Sequence, residues 1–305
     1  MPKFIMNNIE KKSEYKVLAR KYRPQTFADL IGQETLVQTL TNAITMNRIA
    51  HAYLLTGVRG VGKTTTARLI AMSLNCESRS SDSFEPCGSC QSCISIREDR
   101  NMDVIEMDAA SKTGVDDIRE IIDNVKYKPI NCKYKIFIID EVHMLSKSAF
   151  NALLKTLEEP PPHIKFIFAT TEIKKIPVTI ISRCQRFDLL RIETKKLIDH
   201  LSIISSKENI IITHDALAII VRAADGSVRD GLSLLDQASA NTTKEISAES
   251  VVSMLGLANR ENIFDLVDSI LNGDADKSLN IYNNLYKSGA DVVMIFDEML
   301  KVIHF

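Results

Sequence analysis

The sequence predicts a parallel α/β domain followed by a wholly helical region, and three observations lead there. Between residues 52 and 188, short apolar runs alternate with segments whose apolar residues recur at helical spacing, the order in which helices cover a parallel sheet. The runs are apolar almost throughout, which suits strands buried on both faces. After Thr194 strand-like runs largely disappear while helical patterns continue.

Taken in order, strands are expected at 52–56, 104–107, 135–140 and 165–170. Between them, Ile118, Ile121, Ile122 and Val125 form one helical core stripe, and Phe150, Leu153, Leu154 and Leu157 a second. Pro160, Pro161 and Pro162 end that second helix, because proline lacks an N–H and restricts the residue before it. Helical patterns at 197–206, 215–224 and 228–240 predict a small second domain. A polar stretch at 241–245 leads into further helices, the last at 291–305 without a stop signal, so the chain is expected to end inside an incomplete third domain. No internal repeat or long low-complexity segment is present.

A length of 305 residues suits two or three domains, and three are expected. With 45% hydrophobic and 25% charged residues the chain has globular composition. No apolar run approaches the ~20 residues that cross a bilayer. Residues 1–13 are polar and lysine-flecked, which reads as a flexible cytoplasmic N-terminus rather than a secretory signal. A net charge of −1 excludes a strongly basic nucleic-acid binder, so DNA contact must be local or built by assembly. The absence of Trp and 6% aromatic content argue against a base-stacking platform.

Gly57, Val58, Arg59, Gly60, Val61, Gly62, Lys63 and Thr64 fit G-x-x-x-x-G-K-[ST], after an expected strand and before a helix. Glycines let backbone N–H groups wrap phosphates, and the helix N-terminus adds partial positive charge. Lys63 is expected on the β- and γ-phosphates of ATP and Thr64 on Mg2+. The apolar run 136–139 ends in Asp140 and Glu141, which suits a Walker B strand delivering acids to the phosphate edge. Asp140 would hold the Mg2+ shell and Glu141 orient the attacking water. Two acids ending a strand also suit a solvated turn, and the phosphate loop favours the first reading.

Cys76, Cys87, Cys90 and Cys93 follow the spacing C-x10-C-x2-C-x2-C in a serine-rich, apolar-poor segment, which is therefore not expected to be buried core. Four thiolates in a reducing compartment suit a closed, structural Zn2+ site. Free surface thiols and an iron–sulfur cluster are the alternatives. Cys132 and Cys184 stand apart as ordinary residues, and His51, His143 and His163 are not needed as ligands.

Together these segments resemble the gamma/tau family of bacterial clamp-loader subunits among the AAA+ ATPases, over nearly the whole chain. The run from Val17 to Phe27 is similar to that family's N-terminal box, which lies against adenine in relatives. A cysteine insertion after the P-loop helix is the family's mark, although the first gap is longer here than its commonest spacing. Asp140, Glu141, Val142 and His143 resemble the family's Walker B signature. Ala169, Thr170 and Thr171 resemble sensor 1, which implies Thr171 at the γ-phosphate or attacking water; a turn-capping hydroxyl is the plainer reading. Ser182, Arg183 and Cys184 resemble the S-R-C motif, which implies that Arg183 reaches ATP on a neighbouring subunit. Gly226, Ser227, Val228, Arg229 and Asp230 resemble sensor 2, which implies Arg229 over the γ-phosphate in cis. Amides of residues 109–114 before a helix near Val115 would meet a DNA phosphate, or that helix is capped by Thr113 or Ser111.

The resemblance implies a P-loop AAA+ domain at 14–192 carrying a zinc module at 76–93, a helical lid at 193–245 and the start of a helical collar at 246–305. It implies ATP, Mg2+ and structural Zn2+ as cofactors. The implied partners are sister subunits in a hetero-oligomer, expected to be pentameric, with the sliding clamp and primed DNA. Polymerase core and helicase join them if a longer tail exists; no membrane is involved. The implied activity is an ATPase that loads the clamp for the DNA polymerase III holoenzyme. An inert scaffold arm is disfavoured because no element of the P-loop is degraded. A polymerase is disfavoured because no acid set for nucleotide transfer exists beyond Walker B.

Overall fold

The computed structural model describes residues 15–46, 48–80, 83–241, 245–255, 260–287 and 291–304. The expected N-terminal segment at 1–13 and part of the 241–245 stretch lie outside the described residues. After a short helix α1 (Leu18–Lys21) and α2 (Glu34–Thr45), the chain enters β1 (Ala52–Thr56), α3 (Lys63–Asn75), α4 (Gln91–Arg97) and β2 (Val104–Asp108). It continues through α5 (Val115–Val125), β3 (Lys135–Asp140), α6 (Lys147–Glu158), β4 (Ile164–Thr170), α7 (Val178–Ile181) and β5 (Gln185–Asp188). The five strands form one parallel sheet in the order β2-β3-β4-β1-β5.

The three inner strands are buried almost end to end, as their apolar sequences require. The edge strands depart from that expectation. In β2 only Met107 is buried, and β5, with the sequence QRFD, buries only Phe187. One face of the sheet packs on α3 through Leu69, Ile70, Ile136, Ile138 and Ile167. The other packs on α5 and α6 through Ile118, Leu153, Phe137, Phe166 and Phe168, with the Phe166 ring 5.5 Å from Phe137 and 5.7 Å from Phe168. Each such side chain contributes about 1.5–3 kcal/mol. Because the central strands are parallel and in register, Thr56, Asp140 and Thr170 all emerge at the same C-terminal edge.

The helical region begins with α8 (Thr194–Lys207), α9 (His214–Ala224), α10 (Val228–Asn241) and α11 (Ala248–Leu255). These share one core that includes Leu201, Ile220, Leu235, Ile246 and Val251. Leu18 of α1 lies in this same core, with Tyr22 and Ile31 against it. The N-terminal box expected within the 14–192 unit therefore packs on the lid, and α11, expected within 246–305, does so too. The final helices α12 (Arg260–Leu271), α13 (Ala275–Lys287) and α14 (Val292–His304) close around Ile263, Leu266, Leu285 and Ile295. They leave Leu271, Leu279, Val293 and Leu300 exposed. Among the described residues no helix is long and apolar enough to cross a membrane.

Candidate functional site

The loop between β1 and α3 turns on three glycines with positive φ, 147° at Gly57, 78° at Gly60 and 102° at Gly62, conformations that side chains resist. A Cβ at Gly57 would lie 2.6 Å from the Leu189 carbonyl, and one at Gly60 would lie 1.9 Å from Ser227 Oγ. The loop is thus wedged between β5's exit and the lid. Lys63 is buried, and its ammonium donates to the carbonyls of Gly57 at 3.0 Å and Val58 at 2.9 Å. Burial pushes its pKa down, against the pull of Glu141 and Asp140. Among the described residues this cation makes no ion pair, so an anion at the loop suits it.

Thr64 Oγ1 donates to Asp140 Oδ2 at 2.5 Å. A hydroxyl and a carboxylate side by side at the mouth of a phosphate loop are the donor set for Mg2+. Glu141, held at φ 46°, accepts at Oε2 from Thr171 N–H at 3.3 Å and Thr171 Oγ1 at 3.1 Å. Thr171 thus meets Glu141, the second acid of the pair, directly. The residues Arg23, Arg59, Lys63, Thr64, Asp140, Glu141 and Arg229 line one cleft of about 1070 Å3 between the sheet domain and the lid. Arg229 N–H donates to Gly60 O at 3.4 Å.

Arg183 is not among the residues lining this cleft. It follows α7, where its guanidinium donates to Glu158 Oε1 at 2.5 Å and Thr179 O at 2.6 Å. Two further arginines join the site, one from the N-terminal box and one without a motif. Arg23 donates from Nε to Thr65 Oγ1 at 3.1 Å, its pKa lowered by burial. Arg68 forms a two-pronged pair with Glu106 at 2.6 and 2.8 Å and lines the same cleft. The one sequence signal for Arg68 is its place a turn beyond Thr64 on the same helix.

The four cysteine sulfurs lie within 4.8 Å of one another, against about 3.8 Å between thiolates on a tetrahedral Zn2+ with ~2.3 Å bonds. Backbone N–H groups of Cys87, Cys90 and Cys93 donate to the sulfurs of Cys76, Cys87 and Cys90 at 3.3, 3.2 and 3.4 Å. Hydrogen bonds from the Ser89 and Cys90 amides pull the Cys87 thiol down to about 6, toward the thiolate that binds metal. The donor set fits structural zinc. Contrary to expectation the segment contributes to the core. Cys93 and Phe84 are buried, and the Phe84 ring sits 5.1 Å from Phe27.

At the start of α5 the residue preceding the helix is Gly114, whose N–H donates to Asp117 Oδ2 at 3.2 Å. Neither Thr113 nor Ser111 caps it; Ser111 Oγ bonds Asp108 instead. Asp116 and Asp117 in the first turn oppose a phosphate there.

Three family models match the chain: DNA polymerase III, delta subunit, over residues 32–193; the clamp loader subunit ATPase lid domain over 196–244; and domain III of subunits gamma and tau over 246–305. The chain is 46% identical to DNA polymerase III subunit tau of Salmonella typhimurium and of Escherichia coli, over 95% of its own length. It spans about 45% of the length of those relatives. With subunit gamma of Buchnera aphidicola from Acyrthosiphon pisum it shares 44% identity over 95% of this chain and 80% of the relative. Among solved structures, Thermotoga maritima RuvB is similar at a TM-score of 0.55 and 19% identity, covering 82% of this chain and 79% of that one. That likeness speaks for the fold alone.

Proposed function

The chain belongs to the gamma and tau subunits of DNA polymerase III, and from that premise we propose that it is an AAA+ ATPase motor that loads a sliding clamp onto primed DNA. The observation that most supports this is the convergence on one cleft of an intact phosphate loop, an adjoining Thr64–Asp140 pair and two arginines from outside the sheet.

In this reading the amides of residues 57–64 and the Lys63 ammonium bind the ATP phosphates. Thr64 and Asp140 would hold Mg2+, which would supply charge neutralisation to the bound phosphates. Glu141 orients the attacking water and Thr171 fixes its carboxylate. Arg229 brings the lid onto the γ-phosphate. Arg183, lying outside its own cleft, completes the site of the next subunit and stabilises charge in the transition state, a contribution of about 10³–10⁵ in rate where such arginines act. Cys76, Cys87, Cys90 and Cys93 would hold zinc in a structural role.

The partners are sister subunits in a hetero-oligomer of about five, the clamp and primed DNA, in the cytoplasm. The test is DNA-stimulated ATP hydrolysis by the reconstituted loader. Arg183→Ala should keep nucleotide binding and lose the stimulation. Normal stimulated turnover in that variant would overturn the assignment of Arg183.

A further inference from the structure

His143 occupies a position that the chemistry above leaves unused. It lies in the single 3-10 turn after β3, Val142–Met144, and its side chain is only 6% exposed. Nδ1 is 3.1 Å from Thr170 Oγ1 and 3.4 Å from Glu141 Oε2, while Nε2 is 3.3 Å from Glu172 Oε1. Glu172 is fixed in turn: its N–H donates to Thr170 Oγ1 at 3.0 Å, and Lys175 Nζ lies 2.8 Å from its Oε1. A buried imidazole serving only as filler would meet apolar side chains or backbone carbonyls. This one is hydrogen-bonded to the Thr170 hydroxyl and has a carboxylate oxygen within ion-pair range of each ring nitrogen. Glu141 itself stands in the left-handed region at φ 46°, a conformation that persists only where surrounding contacts hold it.

We propose that His143 is a positioning residue for hydrolysis: its Nδ1 edge sets the Glu141 carboxylate, and its Nε2 edge ties that setting to Glu172. From Glu172 the chain passes through the turn Ile173–Lys175 and α7 directly to Arg183. One imidazole thus joins the acid that serves this subunit's nucleotide to the segment whose arginine serves the neighbour's. The inference rests on reading Glu141 as the residue that orients water.

The experiment uses the full-length chain reconstituted with its companion subunits, with DNA-stimulated turnover and nucleotide affinity measured separately. His143→Ala should lower kcat about 10- to 100-fold, the scale of a displaced catalytic group, with nucleotide Kd changed less than about threefold. His143→Asn keeps an N–H near the Nδ1 position and should recover most of that loss. His143→Gln reaches the Nε2 position instead and should not. Adding Glu172→Gln to His143→Ala should cause no further loss, since both act through one contact. Thermal midpoints identify any variant that fails to fold, and the Asn and Gln pair stays informative because a packing role would make them equal. Wild-type kcat in His143→Ala, or equal recovery by Asn and Gln, would overturn the proposal while leaving Glu141 in place. Retained turnover in Glu141→Gln would overturn the reading beneath it.

Discussion

Gly60 shows how one residue joins two domains. Its φ of 78° and its contact with Ser227 leave no room for a side chain, so Gly60→Ala should strain the phosphate loop by about 1–3 kcal/mol. Nucleotide affinity, measured by titration calorimetry, should fall about tenfold or more if that strain is expressed in the binding-competent loop. Ser227→Gly removes the clash but not the φ penalty, so it should rescue only part of the loss. Lys63→Ala should abolish binding at ATP concentrations that saturate the wild type, because it removes the buried ammonium at the loop's centre. The loop residues were legible because their chemistry demands glycines, lysine and threonine at fixed spacing. Arg68 lay in no motif, and the box and signature that contain Arg23 and His143 did not give their contacts, because partners such as Thr65, Glu106 and Glu172 are supplied only by the tertiary fold.

Secondary structure was legible where burial writes an apolar run, and less so at the margins of the sheet. β5 pairs with β1, and beyond the backbone ladder Phe187 stacks on Tyr53 and Asp188 accepts from Thr56, while three of its four side chains stay out of the core. No periodic pattern could announce it. The cysteine segment deceived in the opposite sense, since its serines hide Phe84 and Cys93, both packed into the α3 side of the core. Metal removal should therefore be felt beyond the module. Chelation is expected to release one Zn2+ per chain, measured by elemental analysis, and to lower the thermal midpoint of the sheet domain as the Phe27–Phe84 contact loosens. Cys93→Ser should reproduce that loss without chelator. An unchanged midpoint after full release would assign the module no share in the core.

The box at the N-terminus also fits no single domain. Leu18 packs in the lid while Arg23 reaches Thr65 on the P-loop helix, so the segment spans the nucleotide cleft. Its anchor to the lid is Glu208, held below the usual carboxylate range by the Lys21 ammonium and the Tyr22 hydroxyl. That bond pushes Tyr22 up to about 12. A lowered carboxyl stabilises above its unfolded pKa and loses that contribution as pH falls through the folded value. A raised phenol stabilises below its unfolded pKa and loses it as pH rises through about 12. Protection factors of the α1 amides, corrected for the pH dependence of intrinsic exchange, should thus hold from about pH 5 to 10 and fall on either side, and Glu208→Gln should lower that plateau.

The same division of labour decides what an isolated subunit can do. Lys63, Asp140 and Arg229 meet in one cleft, but Arg183 is turned to Glu158 outside it. If that arginine serves a neighbour, binding belongs to the subunit and rapid hydrolysis to the assembly. The last three helices expose Leu279 and Leu300 at 60% and 65%, apolar side chains that do not line the cleft and whose burial against sister subunits would drive association. Leu279→Asp combined with Leu300→Asp should therefore yield a chain that runs as a monomer in light scattering and binds ATP with wild-type affinity. It should lack DNA-stimulated turnover although every residue of its own cleft is intact. A monomer with full stimulated turnover would show that the site needs no neighbour.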